Sequence, residues 1–261
     1  MNSILEMQNP NVDILLRNNG FIFTDTFIPY VSGKIGPYKI ATKNLVGNGD
    51  DFVKVVDSMN SLLSFDDKEY IISGGESSDW PFSLVLAYTR RKSHSFLYKD
   101  GSIGGANING KKVIHVADVN NEGYSISLWA RIIKENGGDL VKSLFYVDRN
   151  ESGVGVVKSL GIESGSVLLI NNSVFDYIKK NASNIFDENQ YLSVMRYMED
   201  RESWATRMLK SDAGLETLIK LLNGGVKEKE RAKNIIERGY PSMKTDLVNR
   251  LGGKGFSYIS S

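Results

Sequence analysis

The stretch VIHVADVNNEGYS, Val113 to Ser125, decides the fold. An apolar run from Val113 to Ala117, interrupted only by His115, ends at Asp118. A polar loop with one glycine, Gly123, follows, and helix-forming residues begin at Ser125. This is a buried strand, a tight loop and a helix start, the repeating unit of a parallel α/β sheet. Loops at the carboxyl ends of such strands hold phosphate, because backbone N–H groups and the positive end of the next helix face outward there. Glu122 places a negative charge in this loop, where an anion would sit.

The same grammar extends to both sides. Tyr70 to Ser73 reads as a short strand closed by Gly74-Gly75, and Phe82 to Thr89 as a helix opened by Pro81. His94 to Tyr98 is a strand, and Asp100 to Gly110 a glycine-rich connection. After the central stretch, Ser125 to Glu135 is a helix capped by Gly137-Gly138. Leu140 to Asp148 is a strand, Val154 to Leu160 a helix, and Ser166 to Asn171 a strand. The alternation over about 70–171 predicts a mainly parallel sheet with helices on both faces. Ligands bind at the carboxyl ends of its strands: Ser73-Gly74, Asp118-Val119 and Asp148-Arg149.

The flanks differ. Residues 11–20 read as the end of a short helix. FIFTDTFIPYVSGKIGPYKIAT, residues 21–42, predicts strand, tight turn, strand, with Ser32-Gly33 and Gly36-Pro37 as turn signals. Phe52 to Phe65 has apolar residues at helical spacing. Beyond about 174 the texture is helical: Phe175 to Lys180, one long amphipathic helix over Asn189–Lys210, Leu215 to Leu222, and Lys227 to Arg238.

Composition bounds the function. With 261 residues, 41% hydrophobic and 24% charged, the chain can build a substantial core. A net charge of +1 provides no bulk field for nucleic acid or anionic membrane. The basic residues of 227–250 alternate with acids, which predicts a solvated helix and not a nucleic-acid patch. The absence of cysteine excludes disulfides and thiolate metal sites and fits a reducing cytoplasm. With only His94 and His115, a multi-histidine zinc site is not expected, and no metal site is assigned. His115, inside an apolar strand, is expected in the core. The N-terminus is not a signal peptide, and no run nears the roughly 18 apolar residues of a spanning helix. The expectation is a soluble cytoplasmic protein with no membrane partner.

Four segments resemble the type I phosphoribosyltransferases, and among them the orotate phosphoribosyltransferases. Tyr30-Val-Ser-Gly-Lys-Ile-Gly-Pro-Tyr38 is similar to the family's early hairpin. Ser73-GGESSDW-Pro81 is similar to its pyrophosphate loop, Val113 to Ser125 to its diphosphoribose-binding motif, and Phe145-Tyr-Val-Asp-Arg-Asn-Glu151 to a V-D-R-x-E strand end. The resemblance covers about residues 12–180. It implies the type I phosphoribosyltransferase fold: an α/β parallel sheet flanked by helices, an N-terminal hairpin or hood, and a C-terminal helical extension. The expected domains are 1–180, phosphoribosyltransferase-like, and 181–261, the extension. The resemblance further implies pyrimidine nucleotide metabolism and a homodimer formed through the hairpin of residues 21–40. The expected ligand is a nucleotide or a molecule like phosphoribosyl diphosphate (PRPP). Mg²⁺ enters only if PRPP binds.

Transferred residue by residue, the resemblance places the PRPP-like loop at Asp118, Asn120, Asn121, Glu122, Gly123 and Ser125. The pyrophosphate-like loop falls at Gly74, Gly75, Ser77 and Ser78, and the base-binding candidates at Lys34 and Arg149. The pattern departs from the family where the chemistry lies. The first of the paired acids is Ala117, and the loop threonines align with Asn121 and Glu122. The glycine before the loop proline aligns with Asp79, and Glu76 adds a further charge. The segment LYKDGSIGGANINGKK has one early lysine, Lys99, and no histidine, where the family carries a Lys- and His-rich catalytic loop. No catalytic residue is assigned, and Arg149 beside Asp148 also reads as a local ion pair. Three functions follow. The first is an orotate phosphoribosyltransferase-like protein with lost or altered transfer activity, binding a nucleotide-like ligand or serving a regulatory or partner role. The second is an active, divergent phosphoribosyltransferase. The third is a nucleic-acid- or protein-binding module using the helical tail.

Overall fold

The protein, a computed structural model, is described over residues 9–63 and 69–256. In chain order its elements are α1 (Pro10–Arg17), β1 (Phe21–Pro29), β2 (Ile35–Ile40), α2 (Gly49–Asn60), β3 (Ile71–Gly75), α3 (Trp80–Arg90), β4 (His94–Leu97), β5 (Ile103–Gly105), β6 (Lys112–Asn120), α4 (Tyr124–Glu135), β7 (Asp139–Asp148), α5 (Gly153–Ser159), β8 (Glu163–Leu169), α6 (Asn172–Asn181), α7 (Glu188–Glu199), α8 (Arg201–Lys210), α9 (Asp212–Asn223), α10 (Val226–Asn234) and α11 (Lys244–Gly253). The predicted end of the α2 helix at Phe65 and the first eight residues lie outside the described residues. Two compact units form. The first holds the described residues up to Gly20 together with Ile40–Asn171; the second holds Phe21–Lys39 with the described residues from Asn172 onward.

The first unit carries the predicted α/β sheet. Its strand order is β5-β4-β3-β6-β7-β8. All pairings are parallel except β4 with β5. From β3 the chain runs outward to β4 on one side, while β6 lies on the other. The order therefore reverses between β3 and β6, the switch point where open α/β sheets bind ligands. Ser73 stands opposite His115, and Asn120 opposite Asp148, so the three strand ends are neighbours.

Strand alternation assigns the faces. Val113 packs with Trp129, Ile132 and Ile133 of α4, and Ala117 with Ile126. Those four helix residues recur at helical spacing and form the buried stripe of α4. Burying each such isoleucine contributes about 1.5–3 kcal/mol, against intrinsic helix preferences below about 1 kcal/mol per residue. Packing therefore decides that helix. Arg17, at the end of α1, clasps Asp51 in the first turn of α2. Its Nε donates to Oδ2 at 2.6 Å and its Nη2 to Oδ1 at 2.5 Å, and Asn18 adds a third bond at 2.7 Å. The guanidinium, with help from Asn18, holds the Asp51 carboxyl well below the usual carboxylate range.

The glycine-rich connection is more ordered than its composition suggests. Ile103–Gly105 turns back as an antiparallel edge strand, with Leu97 opposite Ile103. Its glycines serve a narrow hairpin: at Gly105, φ is +82° and a Cβ would come within 2.5 Å of His94 O.

The second unit joins the β1–β2 hairpin to the C-terminal helices. The hairpin turns at Tyr30–Lys34, where Tyr30 N donates to Lys34 O at 2.8 Å. Gly36-Pro37 is not a turn but lies inside β2. A side chain at Gly36 would collide with the Tyr30 ring, so glycine serves packing there. Aromatic rings fill the interior: Tyr38 meets Phe175 edge-on at 4.9 Å, and Phe23 stacks on Phe186 at 4.0 Å. The single helix expected over Asn189–Lys210 is two. Asp200 is extended, and its carboxylate accepts from Ser203 N at 2.9 Å, ending α7 and capping α8.

The tail grips the hairpin tip. Backbones meet so closely that a Cβ on Gly33 would lie 2.5 Å from Asn234 O, and one on Gly239 2.0 Å from Gly33 O. Ile35 N donates to the Tyr240 hydroxyl at 3.2 Å.

Candidate functional site

The site is the cleft of strand ends around the β3/β6 switch point. β3 ends in Gly74-Gly75 because nothing larger fits: a Cβ on Gly74 would reach the Ser83 hydroxyl, and one on Gly75 would enter the Trp129 ring at 2.1 Å. The loop to α3 follows. Its Glu76–Ser77 peptide is cis. Ser77 is exposed, Ser78 is half-buried, and Glu76 Oε2 accepts from Lys99 N at 3.2 Å.

Asp79 closes this loop, and its carboxylate turns inward. Oδ2 accepts from Gly75 N at 3.2 Å, and Oδ1 accepts from Asp118 N, also at 3.2 Å. His115 Nε2 lies 3.6 Å from Oδ2, while its Nδ1 is 3.2 Å from Ser73 Oγ. Asp118, the acid kept at the end of β6, is likewise engaged within the protein. Thr42 Oγ1 donates to its Oδ2 at 2.5 Å, and Val119 N donates to its Oδ1 at 2.7 Å. Burial, and then the charge of Asp79, push the Asp118 carboxyl up to about 7, against the Thr42 hydroxyl, which acts the other way.

The PRPP-like loop is joined to the loop after β7. Buried Asn120 donates from Nδ2 to Asp148 Oδ2 at 2.8 Å and accepts at its carbonyl from Arg149 N at 2.9 Å. Gly153 N donates to Asn121 O at 3.0 Å. Gly123 opens α4 with φ +80°, and a Cβ there would come within 2.6 Å of Val156. Both the left-handed backbone and the close approach require glycine. Asn121 and Ser125 are exposed, and Glu122 is half-buried.

The structure thus brings Gly74, Gly75, Asp118 and the 120–123 loop to one edge of the sheet. The two base-binding candidates are each engaged in ion pairs. Arg149 turns into the protein, its side chain 2% exposed and paired with buried Glu151 at 3.0 Å. Lys34 belongs to the second unit, 2.5 Å from Glu202 and 4.7 Å from the Tyr240 ring centroid. Thr42, Ser73 and the inward turn of Asp79 are the parts sequence reading missed. Thr42 has no local signal, whereas an aspartate just before Trp80-Pro81 marks a helix entrance. Each carboxylate oxygen of Asp79 and Asp118 already accepts from a donor within the protein. Among the described residues no three His, Asp or Glu side chains gather as a metal site. No helix there is long and apolar enough to cross a membrane.

Comparison with known proteins agrees with this architecture. No family model matches the chain. The orotate phosphoribosyltransferase of Sulfolobus acidocaldarius is 30% identical over 176 residues, which are 64% of this chain and 86% of that enzyme. Among solved structures, the UMP synthase of Leishmania donovani superposes with a TM-score of 0.65 at 18% identity, over 72% of this chain and 41% of that longer one. The orotate phosphoribosyltransferase of Aeropyrum pernix gives a TM-score of 0.57 at 18% identity, over 66% and 98%. Sheet order, the four motifs at their strand ends and the match over most of a relative's length converge: the chain belongs to the orotate phosphoribosyltransferase family.

Proposed function

We propose that this family member has lost or altered phosphoribosyl transfer and serves as a ligand-binding or regulatory partner protein built on the enzyme's frame. One observation carries the reading: the Asp79 carboxylate sits at the switch point on the N–H groups of Gly75 and Asp118. A phosphate charge about 4 Å from an ionised carboxylate is repelled by about 4 kcal/mol at an effective dielectric near 20. That is roughly a thousandfold in affinity.

A working transferase is the competing reading. It is favoured by the names of the relatives and by retained Asp118 and Gly123. One assay separates them: full-length protein with PRPP, Mg²⁺ and orotate, followed by chromatography of orotidine monophosphate. We expect no product above the protein-free control and no saturable heat on titration with PRPP. Steady turnover would overturn the proposal and establish the transferase. The homodimer implied by the family is likewise proposed, and sedimentation of the full chain tests it.

A further inference from the structure

Asp79 does more than obstruct. Its carboxylate is held as a bound anion would be. Gly75 N, from the end of β3, and Asp118 N, from the end of β6, each donate to one oxygen. His115 is fully buried, and its Nε2 has no hydrogen-bond partner in range but faces Asp79 Oδ2 at 3.6 Å. The Ser73 hydroxyl, against Nδ1, can donate there, which leaves the ring proton on Nε2, aimed at the carboxylate. Trp129 Nε1 is also buried without a partner and lies against Gly75. The eleven-residue helix α3 starts at Trp80, so its positive end adjoins the same spot. Donors from two strands, a buried imidazole and a helix start surround a single carboxylate.

We propose that these groups form an oxyanion-binding hole of which Asp79 is the tethered occupant, and that removing its carboxylate exposes a site for a small free oxyanion of carboxylate size. The donors belong to backbone and buried rings and stay in place when Asp79 is shortened. The hole does not depend on whether the chain transfers phosphoribose, since it is read from folding and binding, not turnover.

The test is chemical rescue of the full chain carrying Asp79→Ala. Unmet donors should lower its thermal midpoint by about 2–10 °C. Formate, which replaces the group removed, should restore at least half of that loss, with chloride at equal ionic strength restoring none. In ¹H–¹⁵N spectra the Trp129 indole signal should move saturably with formate in the variant and stay fixed in the native protein. Inorganic phosphate is the second probe: formate alone should rescue, and equal rescue by phosphate would overturn the carboxylate-sized hole. Asp79→Asn, which fills the space, should be destabilised without being rescued. If Asp79→Ala does not fold, its refolding yield from urea should rise with formate and not with chloride. Equal behaviour in formate and chloride, in midpoint, spectrum or refolding yield, overturns the proposal.

Discussion

Replacing Asp118 by asparagine should flatten the dependence of stability on pH. In the folded chain burial and the Asp79 charge hold this carboxyl at about 7, against 3.8 for a free side chain. A carboxyl raised in the fold stabilises it while protonated. That contribution is complete below about pH 4 and is lost as pH rises through about 7. One pKa unit corresponds to about 1.36 kcal/mol, so the displacement sets a ceiling of about 4 kcal/mol. Asparagine keeps an acceptor for Thr42 and carries no charge. Urea unfolding at a series of pH values, followed by tryptophan fluorescence, should therefore show native stability falling with pH while the variant's changes little. A carboxyl ¹³C titration of Asp118 gives the same quantity directly. Parallel pH curves for the two proteins, or an Asp118 carboxyl titrating near 4, would refute the reasoning.

Three further substitutions test the frame. Gly123→Ala forces a side chain into a left-handed backbone position and against Val156; it should cost about 2–4 kcal/mol, read as a lower urea midpoint with unchanged slope. Arg17→Ala removes the two bonds to Asp51 and should cost about 1.5–3 kcal/mol at neutral pH. Because the Asp51 carboxyl is depressed in the fold, the difference from the native protein should shrink as pH falls below about 4 and go on shrinking in stronger acid; a gap independent of acidity would contradict it. Tyr240→Phe leaves the buried Ile35 N–H without its acceptor and should cost about 1–3 kcal/mol, measured by thermal unfolding of the full chain.

The sheet was legible because its strands are apolar runs cut by glycine, as at Val113–Ala117 and Tyr70–Ser73, and such runs carry their period locally. The family was legible because four short motifs fall at successive strand ends. What escaped was non-local or depended on a single capping residue. The bonds from Gly75 and Asp118 to Asp79 join separate strands, and nothing in the loop alone says that its aspartate points inward. Lys34 meets Glu202 168 residues away, a pairing no window can contain. The break between α7 and α8 did have a local mark: Asp200 three residues before Ser203 is a capping spacing, hidden by the apolar stripe that continues across it. Edge strand β5 was masked by its own glycines, which usually argue against a strand.

The hairpin's grip on the tail also has a meaning in time. Ile35 and the Tyr240 hydroxyl that binds its N–H are separated by 205 residues. At about 5–20 residues per second, a ribosome takes roughly 10–40 s to cover that distance. For that interval β1 and β2 exist without the helices that cover them, and a lone two-stranded hairpin is marginal in water. The whole α/β sheet is made meanwhile, between the two halves of the second unit. Birth order therefore favours a sheet that folds first, leaving the hairpin as a waiting edge, the segment most exposed to mispairing with another nascent chain.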